Sequence, residues 1–179
     1  MDNIALVSRA LSVITVLAQV FLVIGLVVFI SARRDSGSRF WYFLWHRAAV
    51  LSFLVAFVAT LGSLFYSEVA GYNPCELCWY QRMAMYPLIV LLPMSMFRND
   101  RSFLDYGLGL AIIGLTFSLY HNYLFFGNSA FGLCTADGNG AGCLVQYVTE
   151  FNYVTIPVMA LTAFLLIIFF LAAGRRINK

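Results

Sequence analysis

Charge is what this chain has least of. Only 11% of its 179 residues are Asp, Glu, Lys or Arg, against roughly a quarter in soluble domains. That scarcity excludes an ordinary water-soluble domain, because 62% of the residues are hydrophobic and the mean hydropathy is +0.86. One aqueous core in a chain of this length needs far less apolar material, so the surplus has to face lipid. Other absences narrow the reading further. There is no internal repeat, no low-complexity tract and no polar stretch long enough for a soluble domain. No chain of acidic residues runs through the apolar segments to mark an ion path, and no nucleic-acid partner is expected.

What is present is a series of long apolar runs. A hydrocarbon core about 30 Å thick takes about 20 residues of helix, and five stretches reach that length: 10–32, 43–66, 78–97, 103–126 and 153–174. The spacing predicts an all-α integral membrane protein with short polar connectors and one longer connector from Gly127 to Asn152. Pro87 and Pro93 interrupt the third stretch, which a bundle tolerates when neighbours satisfy the freed backbone groups. Gly107 and Gly114 offer the fourth helix close approach to a partner.

Orientation follows from the basic residues. Arg33, Arg34 and Arg39, then Arg98 and Arg101, then Arg175, Arg176 and Lys179 fall on one face of a five-span chain; Arg9 and Arg82 fall on the other. The positive-inside rule makes the first face cytoplasmic. The N-terminus is therefore expected outside and the C-terminus inside. The first stretch is read as a retained helix and not a cleaved signal peptide. It exceeds the usual 7–15 apolar residues of such a region, and the bonds after Ser31 and Ala32 have Phe29 and Ile30 where a small residue is needed. Cleavage would also reverse every later loop against the charge rule.

The four cysteines, Cys75, Cys78, Cys134 and Cys143, all fall in or beside the two outward connectors. An even number of cysteines confined to an oxidising face suggests disulfide chemistry. Three readings of them stand side by side. Cys134 and Cys143 bracket a glycine-rich loop that a structural disulfide would rigidify. Four thiols would also suit zinc, although the 134/143 spacing is wide for such a site. Redox exchange is the third. In "NPCELCWYQR", Asn73-Pro74 prepares a helix start, and the helix N-terminus favours a thiolate at Cys75 or Cys78. Arg82 lies one turn after Cys78 on the same face, at a depth where a cation marks a functional site or a snorkelling anchor. A thiolate above a cation at the bilayer edge is placed to reduce a lipid-soluble acceptor. A conduit carrying electrons out of the cytoplasm would need thiols reachable from inside, and this sequence has none there.

This motif, with its following Tyr-x-Arg, resembles that of the DsbB family of bacterial membrane thiol:quinone oxidoreductases, including the Gram-positive branch called BdbC. The resemblance covers a four-helix core from about Phe43 to Gly174. It implies a four-helix bundle (residues 43–179) behind an additional N-terminal helix and connector (1–42) in the bacterial cytoplasmic, or inner, membrane. It implies oxidation of a DsbA-like thioredoxin-fold partner, with the electrons passed to ubiquinone or menaquinone and no metal involved. Residue by residue, it makes Cys75–Cys78 the quinone-proximal disulfide, with Cys78 facing the ring, and Cys134–Cys143 the disulfide that meets the partner. Arg82 is similar to the arginine that supports quinone reduction, and His121 to a histidine some members carry near the quinone. The additional helix and the short 134–143 loop depart from the family pattern. A vitamin-K-epoxide-reductase-like enzyme, which shares the architecture with the reverse cysteine order, and a structural membrane protein with inert disulfides are the alternatives.

Overall fold

The computed structural model describes residues 2–31, 47–98, 100, 102–127, 145 and 147–176. Among them are five helices and no strand: α1 (Asp2–Ser31), α2 (Ala48–Leu64), α3 (Glu76–Arg98), α4 (Ser102–Gly127) and α5 (Ile156–Arg176). The five apolar stretches each became one helix. The protein is therefore an all-helical, multi-pass membrane protein. Length and apolarity alone qualify α1, α2, α4 and α5 as spans. At 23 residues α3 is long enough too, and it runs unbroken through Pro87 and Pro93, but its outer turns carry Glu76, Gln81 and Arg82.

Helices α2 to α5 close a ring in which α2 packs on α3, α3 on α4, α4 on α5, and α5 back on α2; α1 lies outside, against α5. Small residues make the close approaches possible. In α2 the buried positions are Ala48, Ser52, Ala56 and Thr60, one per turn, the small-residue spacing that lets membrane helices meet where lipid offers no hydrophobic drive. Gly114 of α4 faces the ring of Phe164 directly. The central cluster joins Leu88 and Leu92 of α3, Ala111 of α4, and Phe164, Ile167 and Leu171 of α5. Burial identifies the hub, since 61% of the α5 span is buried against 11% of α1.

The C-terminal end of α2 widens into a π-helical turn, Phe65–Val69, closed by Ala70 N–H donating to Phe65 O at 3.0 Å. Gly71 then takes φ +70°, a conformation that costs glycine little, and the chain reverses toward α3. A short turn with a bridge between Glu150 and Val154 leads into α5. There Asn122 Nδ2 of α4 donates to Pro157 O at 2.9 Å and fixes the outer ends of α4 and α5 together.

Candidate functional site

The first turn of α3 builds the site. Asn73-Pro74 ends the connector, and Cys75 stands as the capping residue ahead of Glu76. Its Sγ accepts the Cys78 backbone N–H at 3.4 Å, the bond that a serine or aspartate oxygen makes at other helix starts. The helix start therefore serves Cys75 more directly than Cys78. The two sulfurs are free thiols 2.9 Å apart, Cys75 buried and Cys78 half-buried. In the connector outside α3, the Cys75 thiol is pulled down to about 4, first by the hydrogen bond with the Cys78 thiol; His121 adds to the effect while burial opposes it.

His121 of α4, only 3% exposed, points its Nε2 at Cys75 Sγ, 3.9 Å away. Its Nδ1 meets Gln81 Nε2 at 3.1 Å. An amide N–H donating to Nδ1 leaves the neutral ring's proton on Nε2, toward the sulfur. The helical spacing of Leu77, Gln81, Met85 and Leu88 puts Gln81 on the buried face of α3, directly opposite the histidine.

Arg82 lies in the next position and faces the same cavity as the thiols. Its Nε donates to Ser63 Oγ and its Nη2 to Ser63 O, both at 2.9 Å, and the guanidinium stands 5.4 Å from the Trp79 ring centroid. A cation at this depth is costly unless its donors are satisfied, and Ser63 satisfies two of them. The structure thus brings Cys75, Cys78, Arg82 and His121 to one cavity, and the three Cys and His donor atoms lie within 4.8 Å of one another. Cys134 and Cys143 lie outside the described residues, as do Arg33, Arg34, Arg39, Arg101 and Lys179.

The cavity measures about 390 Å³, within the range of small-molecule sites. Its outer roof is a stack of tyrosines: Tyr66 on Tyr72 at 5.9 Å, and Tyr72 on Tyr147 at 4.6 Å, with the rings 13° and 15° from parallel. Tyr147 stands four residues after Cys143 in the sequence. Thr60 is among the lining residues, but its Oγ1 is enclosed by protein and has no hydrogen-bond partner. An apolar slot with Arg82 and His121 on its wall suits a flat, largely apolar molecule bearing carbonyl acceptors, the chemistry of a quinone.

Gln81 and Ser63 were not singled out by the sequence reading. Gln81 carried a signal, since it stands inside the cysteine motif three residues after Cys78. Ser63 carried none, because only the packing of α2 on α3 gives it a role.

Comparison with known proteins covers most of the chain. The family described as "Disulfide bond formation protein DsbB" matches residues 45–174. "Disulfide bond formation protein C" of Bacillus subtilis is 44% identical over 120 residues, 67% of this chain and 86% of that one. "Probable disulfide formation protein" of Oceanobacillus iheyensis is 46% identical over 122 residues, 66% and 81% of the two chains. A protein of the same description from Metapseudomonas resinovorans is 37% identical over 127 residues, 71% and 88%. No solved structure matches.

Proposed function

As this chain belongs to the DsbB family of disulfide bond formation proteins, with a role in disulfide formation, we propose that it is a membrane thiol:quinone oxidoreductase that reoxidises a DsbA-like thioredoxin-fold partner outside the cytoplasm. The observation that carries the reading is the cavity itself: a vicinal dithiol, a hydrogen-bonded arginine and a buried histidine open together onto an apolar slot within the membrane domain.

Each stage of the reaction moves two electrons. A partner thiolate attacks the Cys134–Cys143 disulfide, at Cys134, and forms a mixed disulfide; the partner's second thiol resolves it, leaving the partner oxidised and Cys134 and Cys143 as thiols. Those thiols then reduce the Cys75–Cys78 disulfide by the same exchange and become a disulfide again. Reoxidation of the Cys75 thiolate and the Cys78 thiol releases two electrons and one proton, the other proton having left when Cys75 ionised. A quinone bound in the cavity supplies the sink for them. Arg82 and His121 would hold it, with Cys78 as the sulfur on its side. The helix start and the Cys78 thiol keep Cys75 as a thiolate, and His121, oriented by Gln81, turns its Nε2–H toward that sulfur and stabilises its charge. In this scheme the N-terminus and both cysteine pairs are outside the cytoplasmic membrane and the C-terminus is inside.

The test is direct. The purified protein, given a reduced thioredoxin-fold donor and ubiquinone or menaquinone, is expected to consume quinone absorbance in step with donor thiol loss. Cys75→Ser is expected to abolish that turnover; quinone consumption that persists in this variant would refute the proposed relay.

A further inference from the structure

Helix α1 precedes the stretch that the family description matches, 45–174, yet it forms part of the cavity wall. Leu11, Ile14, Thr15 and Ala18 line the space together with α2 and α5; their spacing puts them on one helical face. The docking of this helix is specific. Gln19 Nε2 donates to Thr162 Oγ1 at 3.1 Å, and Tyr153 Oη donates to Gln19 Oε1 at 3.0 Å. Gly25 leaves room for Phe169, whose Cζ lies 2.9 Å from where a Cβ would stand. Leu11 packs against Gly62, next to the Ser63 that holds Arg82.

The cavity changes character along its length. Its outer end holds the thiols, Gln81, Arg82 and His121, whereas its inner end reaches Val55 and Leu166, which pack with Ala18 in a separate apolar cluster. Along α5 the wall runs from Ile156 to Leu166, about 15 Å at 1.5 Å per residue, or about half the hydrocarbon thickness. Thr15 returns its hydroxyl to Leu11 O at 2.8 Å, so this wall stays apolar in character. A slot with a polar head and an apolar shaft this deep has the shape of a molecule with a polar ring and a long hydrocarbon tail.

We infer that α1 is the wall of a channel for the polyprenyl tail of the quinone, and that Thr15 and Ala18 set how much tail the site accepts. The inference rests on the quinone reading above and names the part of that substrate which the additional helix recognises. Binding, independent of turnover, tests it. Full-length oxidised protein is immobilised in detergent and equilibrated with a polyprenyl menaquinone or with its tail-less dimethyl-naphthoquinone analogue, and the retained quinone is extracted and quantified. Thr15→Phe and Ala18→Phe are expected to weaken the polyprenyl probe at least ten-fold and leave the tail-less probe within two-fold. Leu17→Phe, on the 63%-exposed face turned away, is expected to change neither. Equal losses of both probes, or no loss of either, would overturn the role of α1 alone. A wild-type protein that retains neither probe would sink the quinone reading itself. If a Phe variant does not elute as a folded species, Ala18→Leu, a smaller insertion, is read by the same criteria.

Discussion

Gly114→Ala adds a single methyl group at the closest approach that any of the described glycines makes to a neighbouring helix. The new Cβ would land on Phe164 Cε1 and Cζ and stand 2.9 Å from Cδ1. Phe164 is fully buried, packed with Leu88, Ala111 and Ile167, so its ring has to shift out of that packing. Overpacking a filled core costs about 1–3 kcal/mol, and direct overlap with a ring belongs at the upper end. Alanine recovers up to about 1 kcal/mol of helix propensity over glycine, which leaves a net loss of about 2 kcal/mol. For a chain of this size that corresponds to a melting point lower by about 4–8 °C, read by circular dichroism of the detergent-solubilised protein. Two neighbours serve as controls. Gly109→Ala meets nothing within 4 Å, and Gly107→Ala meets Leu88 and Leu92 at an ordinary 3.5 Å, so both are expected to match wild type or gain up to about 1 kcal/mol from helix propensity. Phe164 also lines the cavity, so the Gly114 variant is expected to bind quinone more weakly as well. A Gly114→Ala protein that melts with the wild type would refute the close-packing account of the α4–α5 contact.

Further outcomes follow from the site. Arg82→Lys keeps the charge but loses the planar fork that grips Ser63 twice, whereas Arg82→Gln loses the charge; both are expected to insert normally and raise the apparent quinone KM, the neutral variant more. Equal quinone kinetics in all three proteins would leave Arg82 as an anchor only. In the reduced enzyme the Cys75 thiolate is expected to persist through neutral pH and to disappear only as pH falls through about 4. Its far-ultraviolet absorbance reports this, and the midpoint in His121→Ala should move upward, because His121 is among the groups that hold it down; an unmoved midpoint would remove His121 from that role. Cys143→Ser is expected to hold a thioredoxin-fold partner on Cys134 as a mixed disulfide, since the resolving thiol is gone; non-reducing gels of cells in which the wild type is active would show it, and no trapped partner would count against Cys134.

The helices were legible in the sequence because a bilayer imposes a length on apolar runs and each run here meets it. Their ends were less so: α1 begins at Asp2, eight residues before its strongly apolar part, because a helix can continue through polar residues that an apolarity criterion excludes. The Cys-x-x-Cys pair and Arg82 one turn on were readable from local spacing, whereas His121 entered only through the family resemblance. Ser63 was not readable, since it meets Arg82 across 19 residues, nor was the contact of Gln81 with His121 across 40. Such contacts depend on which helices become neighbours. Gln19 did carry a signal, as a lone amide in the middle of an apolar run, and its partners Tyr153 and Thr162 became visible only in three dimensions.

The contact of Gln19 with Thr162 joins residues 143 apart. Chains are synthesised from the N-terminus, and membrane helices associate after they have inserted. α1 therefore waits in the bilayer, its amide unpaired, while the other helices emerge, and α5, its mate, is the last to arrive. Until then the cavity lacks the α5 wall that α1 leans on. A chain arrested before α5 would hold every earlier helix and still lack a closed cavity, so the site forms only once α5 has joined α1 and α2.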